Sequence, residues 1–194
     1  MFIELTDVLR CPADHPEAYL ILLPDRVEDR TVRSGQLGCP VCGLEYRIDR
    51  GIAGFGDPPD LQQRPSALDA EGLHALIGVD SPGGYVALVG TVAAEGAPLA
   101  AHLEGVHLIA VNPPESVAGD RPLSVLLGDR LPLKAGSVRG VILGPGYGDS
   151  PFWRTEAQRV VLPGLRVVGE GTAPAPADWE SLGTAGAVWV ARPV

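Results

Sequence analysis

The chain has 194 residues, of which 45% are hydrophobic and 20% charged, and its formal net charge is −9. This composition is typical of a globular protein, and the acidic balance argues against a general nucleic-acid-binding surface, which needs a basic footprint. The sequence contains no run of 18 apolar residues, so we expect no transmembrane segment. The first seven residues carry acids where a signal peptide would carry bases, so we expect a cytoplasmic protein with reduced cysteines.

Residues 1–56 have the pattern of a small β-rich module. Short strands separated by turns rich in Gly and Asp are predicted at residues 19–23, 30–33 and 45–48. A polar linker follows at residues 57–65, and the spacing of apolar residues predicts a helix over residues 66–76. We therefore predict a boundary between two units at the linker.

Residues 66–194 alternate apolar strands with loops and short helices. Buried strands are predicted at residues 85–89, 107–111, 124–127, 139–143, 165–169 and 187–191. Continuous apolar runs of this kind indicate a parallel sheet that is covered on both faces. The predicted fold class is α/β: a small N-terminal β-rich module, then a shortened, mostly parallel Rossmann-like sheet with helices on both faces.

Three cysteines stand in two short motifs of the N-terminal module. Residues 11–15 read Cys-Pro-Ala-Asp-His, and residues 39–43 read Cys-Pro-Val-Cys-Gly. The second motif is a tight knuckle that aims two thiolates at one ion, and a structural zinc takes four ligands. Cys11, Cys39 and Cys42 supply three, and either His15 or Asp14 can supply the fourth. We prefer His15, because imidazole is the commoner partner of three thiolates.

Residues 9–12, 38–46 and 48–52 together resemble the zinc-ribbon family that activates tRNA and protein methyltransferases. Similar ribbons are also fused to the front of bacterial methyltransferases. The resemblance implies one bound zinc ion, although the family usually has a Cys where this chain has Asp14. A ribbon that has lost its zinc and survives on packing is the alternative interpretation.

The second part resembles class I S-adenosylmethionine (SAM) methyltransferases in the order of its segments. The matching segments are residues 86–90, 108–113, 128–133 (Gly-Asp-Arg-Leu-Pro-Leu), 136–138 and 156–164 (Glu-Ala-Gln-Arg-Val-Val-Leu-Pro-Gly). The resemblance implies a sheet in which strand 85–89 is central and strand 187–191 runs antiparallel to its neighbours.

The resemblance places the cofactor at three positions of this chain. Gly90 begins the loop that should approach the methionine part of SAM, but Val92 and Ala94 occupy the later glycine positions, where a β-branched side chain should narrow the site. Asn112 stands where an acid normally holds the ribose hydroxyls, and Asp129 stands where the family contacts adenine. We interpret Gly90, Asn112 and Asp129 as vestigial cofactor-binding positions, and we expect SAM not to bind.

The sequence predicts no catalytic residue. Tyr147 and Asp149 follow a strand at a position where methyltransferases place substrate-facing groups, and they could orient or deprotonate a nucleophile. A Gly/Pro turn with a capping Asp149 or Ser150 is the simpler interpretation.

We therefore predict a non-catalytic accessory or scaffolding subunit that binds other protein subunits. Two alternatives stay open: an active SAM-dependent methyltransferase with an unusual cofactor loop, and an activating partner of a separate methyltransferase. Association with a membrane complex is left open as well.

Overall fold

The computed structural model describes residues 1–62, 64–119 and 122–194. In these residues the chain forms a single mixed sheet of 11 strands. The strands are β1 (Ile21–Glu28), β2 (Thr31–Gly38), β3 (Glu45–Asp49), β4 (Ile52–Gly54), β5 (Tyr85–Val89), β6 (His107–Val111), β7 (Leu123–Leu127), β8 (Val138–Leu143), β9 (Val161–Glu170), β10 (Glu180–Ala185) and β11 (Val188–Arg192). The helices are α1 (Ala70–Ile77), α2 (Gly96–His102) and α3 (Pro151–Val160), with 3-10 helices at Ile3–Asp7 and Gly90–Glu95.

The strands lie in the order β1-β2-β3-β4-β7-β6-β5-β8-β9-β11-β10. From β4 to β9 every neighbouring pair is parallel. β5 lies between β6 and β8, and the chain winds outward from it in both directions, which confirms the prediction that strand 85–89 is central. β11 runs antiparallel to both β9 and β10, as the resemblance implied.

The N-terminal module shares this sheet with the α/β part. β1 to β4 form an antiparallel meander, and β4 then pairs in parallel with β7, Ala53 opposite Leu126. The backbone N–H of Phe55 donates to the carbonyl oxygen of Leu127 (2.7 Å), which extends this pairing beyond β4. The two parts are therefore joined by backbone hydrogen bonds.

The two faces of the sheet are covered unequally. α1 and α2 pack on one face, where Leu73, Ile77 and Leu99 cover alternate residues of the central strands. On the other face the described helices are α3 and the 3-10 helix Ile3–Asp7, and the N-terminal module completes the core with side chains that include Met1, Leu5, Leu9, Leu37 and Ile48. Helices therefore lie on both faces of the sheet, as predicted, but they are few. Among the described helices, none is long and apolar enough to cross a membrane.

α1 begins at Ala70, four residues later than predicted. The side chain of Asp69 caps it by accepting a hydrogen bond from the backbone N–H of Gly72 (2.9 Å). Before the cap, the hydroxyl of Ser66 and the backbone N–H of Ala67 donate to the carboxylate of Glu170, at 2.6 and 2.8 Å. These long-range bonds hold the segment outside the helix.

Candidate metal centre and cofactor crevice

Four side chains of the N-terminal module meet at one point. The ligand atoms of Cys11, His15, Cys39 and Cys42 all lie within 4.8 Å of one another. The Cys11 and Cys42 sulfurs are 3.7 Å apart, and Cys39 Sγ lies 3.4 Å from His15 Nε2. Tetrahedral zinc bonded to sulfur and nitrogen separates its ligand atoms by about 3.5–3.8 Å. The four groups therefore have the chemistry and the spacing of a zinc site; Asp14 is not part of this group.

The backbone builds this centre from a loop and a knuckle. The N–H of Cys11 donates to the carbonyl of Ala18 (2.9 Å), which closes the loop that carries His15. In the knuckle, the N–H of Gly43 donates to the carbonyl of Cys39 (3.0 Å), and the N–H of Cys39 donates to Leu44 (2.9 Å). Gly43 has a φ of +73°, which a residue with a side chain rarely adopts. The turn therefore fixes the backbone of both knuckle cysteines.

A hydrogen bond orients the imidazole of His15. Its Nδ1 lies 2.7 Å from the carbonyl oxygen of Pro16, which can only accept, so Nδ1 carries the proton. Nε2 is then left with a lone pair directed at the cysteine cluster. Metal-bound histidines are usually held in this way by a second hydrogen bond.

The pKa values of two cysteines in the cluster are shifted in opposite directions. Burial opposes ionisation of Cys39, but hydrogen bonds from the backbone of Cys42 and Val41 and from the other two thiols outweigh it and lower the pKa of Cys39 to about 6. Burial is the main reason that the pKa of Cys11 is raised, although the hydroxyl of Tyr46, 3.1 Å from its sulfur, acts in the opposite direction. The site thus provides a thiolate, the form of cysteine that binds zinc.

The second candidate site is the crevice at the carboxyl ends of β5 and its neighbours β6 and β8. The strand order reverses between β5 and β8, and open α/β sheets bind ligands at the carboxyl ends of the strands beside such a point. The 3-10 helix Gly90–Glu95 begins directly after β5, and its backbone packs against the end of β8. A Cβ atom on Gly144 would lie 2.9 Å from the carbonyl oxygen of Val89 and 3.2 Å from the nitrogen of Val92. The chain that follows β5 is therefore packed directly against the end of β8.

We expected the side chain of Val92 to narrow the cofactor site, but the structure places it elsewhere. The side chain of Val92 is fully buried in the core beneath α1 and α2, whereas Ala94 is exposed. Gly90 is buried with a φ of +81°, which turns the chain from β5 into the 3-10 helix. The side chain of Val92 thus packs the core and does not point into the crevice.

Asn112 directly follows β6 and is 2% exposed. Its Nδ2 donates to the carbonyl of Gly128 (2.8 Å), and its Oδ1 accepts from the N–H of the same residue (2.9 Å). The side chain thus ties the end of β6 to the loop after β7. Asp129 is next in that loop and is exposed, with the guanidinium of Arg130 3.9 Å from its carboxylate. Gly90 and Asn112 are therefore buried, and Asp129 alone faces outward.

A segment that we call the strap (residues 61, 62 and 64–67) crosses the carboxyl edge of the sheet. The hydroxyl of Thr91 donates to the carbonyl of Arg64 (2.6 Å). A Cβ atom on Gly146 would meet the carbonyl oxygen of Gln62 at 2.8 Å, so the turn after β8 lies directly against the strap. The bonds to Glu170 fasten its other end. The strap therefore contacts the residues that follow β5 and β8 and the end of β9.

Tyr147 and Asp149 have structural partners. Tyr147 is fully buried against Trp153, with ring centroids 4.8 Å apart, and burial raises the pKa of its hydroxyl. Asp149 Oδ1 accepts from the N–H of Ala173 (2.9 Å), which joins the turn after β8 to the loop after β9. Ser150 occupies the N-cap position of α3 without a capping side-chain bond. This arrangement favours the structural interpretation of the turn.

No protein family model matches the chain, and no curated protein matches it. Solved structures with a similar fold are class I SAM methyltransferases. One is a chain from the complex between the Haloferax volcanii Trm112 methyltransferase activator and a methyltransferase (23% identity, 54% of this chain and 52% of that chain, TM-score 0.44). A second is geranyl diphosphate methyltransferase in complex with GPP and sinefungin (17% identity, 52% of this chain and 43% of that chain, TM-score 0.42). A third is Atu636, a predicted O-methyltransferase from Agrobacterium tumefaciens (15% identity, 64% of this chain and 80% of that chain, TM-score 0.43).

The chain spans about half the length of the first two of these proteins. Identities and scores of this size describe the fold, and we draw nothing about activity from them. The strand order and pairing are those of a methyltransferase-like α/β fold with a mixed, mostly parallel sheet and few helices.

Proposed function

We propose that the protein is a zinc-containing, non-catalytic accessory subunit that binds other proteins through a methyltransferase-like scaffold. The observation that carries the proposal is the buried side chain of Asn112, both of whose polar atoms are bonded to the backbone of Gly128. It stands where the resemblance puts the acid that holds the ribose of SAM. A ligand would have to reach a side chain that is 2% exposed and to compete with both of these bonds.

The rest of the crevice supports the same proposal. SAM would have to compete with the bond from Thr91 to the strap and with the two bonds of Asn112. These three hydrogen bonds contribute about 1 kcal/mol each. A penalty of about 3 kcal/mol lowers affinity roughly a hundredfold.

The outer face of the N-terminal module supports a role in binding proteins. Four apolar side chains stand exposed near the knuckle: Ile21 (55%), Leu23 (57%), Val41 (61%) and Leu44 (50%). Exposed apolar groups that cluster on one surface commonly mark an interaction site. The zinc would hold the knuckle that carries Val41 and Leu44 in a fixed shape.

Calorimetric titration of the zinc-loaded chain with SAM and with its demethylated product tests the loss of cofactor binding. We expect no saturable heat up to roughly 1 mM of either ligand, a concentration at which a Kd near 1 μM would be evident. A micromolar Kd, or transfer of a labelled methyl group to a copurifying partner, would overturn the proposal.

Affinity purification from the native source tests the binding role. Leu23→Glu places a charge in the apolar surface, whereas Gln158→Glu adds the same charge at an exposed position on α3. We expect Leu23→Glu to lose a stoichiometric partner that Gln158→Glu and the unaltered chain retain. Equal recovery from all three would show that this surface does not bind the partner.

A further inference from the structure

A groove lies between α1 and the β10–β11 hairpin, on the opposite side of the sheet from α3. Its volume is about 410 Å³, within the range of roughly 300–1,000 Å³ that small-molecule sites occupy. Leu68 and Leu76 form one wall, Leu182 forms the other, and Val188 and Val190 form the floor. The groove is therefore lined mainly by apolar side chains.

The connection between β9 and β10 explains why this part of the sheet is open. Trp179, near its end, packs against Trp189 with ring centroids 6.0 Å apart, and both belong to the core on the α3 face. The connection thus covers the opposite face of β11. All six residues of β10 are exposed, including Leu182.

One end of the groove carries positive charge. Arg166 lines the groove, and its Nη1 donates to the carbonyl of Leu76 at the end of α1 (3.0 Å). The guanidinium also lies flat against Gly78, since a Cβ atom there would be 2.7 Å from its Cζ. These contacts hold the guanidinium in place and use one of its five N–H donors.

A second guanidinium, that of Arg192, belongs to the neighbouring strand β11. Arg192 follows Val190 by two residues in β11 and so faces the same side of the sheet, and the register of β9 with β11 brings it beside Arg166. Its Nη1 is paired with the carboxylate of Glu180 at 3.0 Å. The charge of Arg192 is thus paired with Glu180, whereas the contacts of the Arg166 guanidinium described above are to backbone, in a chain whose net charge is −9.

We propose that this groove binds a small aliphatic carboxylate of the medium-chain fatty acid class. The chain of the ligand lies on Leu76, Val188 and Val190, and its carboxylate accepts hydrogen bonds from the remaining donors of Arg166. An apolar surface that ends at a fixed guanidinium matches both parts of such a ligand, because Arg binds carboxylates in a planar, two-donor geometry. The proposal does not depend on the function proposed above.

Calorimetry with octanoate, octanamide and octylammonium on the full zinc-loaded chain tests it. These probes share the aliphatic chain and differ in head-group charge. We expect saturable binding of one octanoate per chain, about tenfold or more tighter than octanamide, which is the preference expected from a charge-assisted hydrogen bond. We expect no binding of octylammonium.

Two variants locate the site. Arg166→Gln should bring the affinity for octanoate down to that for octanamide, and Leu182→Asn should weaken both ligands by a similar factor. Arg47→Gln removes the same charge from an exposed position on β3 and should leave binding unchanged. Arg166 also donates a hydrogen bond to the end of α1, so Arg166→Gln removes a contact of the fold. If that variant does not fold, the test is decided by Leu182→Asn and by Arg166→Lys, which keeps the charge.

Three results would overturn the proposal. They are the absence of saturable octanoate binding, equal binding of the anionic and cationic probes, and an octanoate affinity that neither Leu182→Asn nor any change at Arg166 alters. Self-association of the chain with the groove closed to octanoate would instead assign this surface to a second copy.

Discussion

Glu156 and Arg159, one turn apart on α3, form an ion pair that also binds the backbone of the loop after β7. Arg159 Nη2 lies 2.7 Å from Glu156 Oε2, and its Nε lies 2.9 Å from Oε1. The N–H of Leu131 donates to Glu156 (3.0 Å), and Arg159 donates to the carbonyls of Leu131 and Leu133. Two of the sequence segments that carry the resemblance, residues 128–133 and 156–164, are therefore the two sides of one contact.

Glu156→Gln should destabilise the fold. The side chain of Glu156 is 10% exposed, and the substitution removes the charge that the guanidinium and the N–H of Leu131 both face. We expect a loss of about 2 kcal/mol in the free energy of unfolding, measured by urea denaturation. Glu104→Gln, at an exposed position, should change it by less than about 0.5 kcal/mol. An equal effect of the two changes would contradict the role given to this pair.

The same pair should give the stability a pH dependence. Burial raises the pKa of Glu156, but the hydrogen bond and charge of Arg159 and the N–H of Leu131 outweigh it, so the pKa lies below its usual value. A carboxyl with a lowered folded pKa contributes stability above its unfolded pKa of about 4.3, and that contribution is lost as the pH falls through the folded value. We expect Glu156→Gln to flatten the stability profile below about pH 5. A profile parallel to that of the unaltered chain would show that Glu156 does not carry this dependence.

The order of the elements could be predicted from the sequence because buried parallel strands are continuous apolar runs. β5, β6, β8 and β11 were predicted within a residue or two of their observed bounds. β4 was not predicted, because its three residues are too few to show a pattern, and its pairing with β7 depends on a contact distant in the chain. The start of α1 was misplaced because the bonds of Ser66 and Ala67 to Glu170 join residues more than 100 positions apart.

The metal centre and the crevice differ in how far the sequence could describe them. Knuckle spacing and the four-ligand rule were sufficient to group Cys11, Cys39 and Cys42 with a nearby fourth donor. The packing of the chain after β5 could not be predicted, since it depends on the fully buried position of Val92 and on the fit of backbone against Gly144. Neither has a local sequence signal.

Gly144→Ala should destabilise the chain because the added methyl group would meet backbone atoms at 2.9 and 3.2 Å. Backbone cannot move aside as a flexible side chain can, so we expect a cost of about 1–3 kcal/mol in thermal or urea unfolding. Gly183→Ala is the matched control, because no heavy atom lies within 4 Å of its added Cβ. A neutral Gly144→Ala would show that the chain after β5 is not packed as tightly against β8 as these distances indicate.

The fourth zinc ligand can be identified with two neighbouring substitutions. His15→Ala should lower zinc affinity about 100-fold or more in chelator competition, whereas Asp14→Ala should leave it within about threefold, because His15 and not Asp14 belongs to the cluster. Elemental analysis of the unaltered chain should give about one zinc ion per molecule. The reverse ranking would make Asp14 the ligand. A metal-free chain with an equally stable N-terminal module would show that the module does not depend on zinc.

Asn112→Asp tests whether the missing acid alone explains the expected loss of SAM binding. The change restores the residue type that the resemblance implies, but in this fold the new carboxylate would face the carbonyl oxygen of Gly128 and would lose the hydrogen bond donated to it. We therefore expect a loss of about 2 kcal/mol in unfolding free energy at neutral pH, which becomes smaller at low pH once the carboxyl is protonated and can donate again. Asp129→Asn, at the adjacent exposed position, should cost less than about 0.5 kcal/mol.

Because the strap and the backbone at Gly144 remain in place, Asn112→Asp should still not bind SAM in calorimetry. Micromolar SAM binding by Asn112→Asp would show that the crevice is open and lacks only its ribose-binding acid.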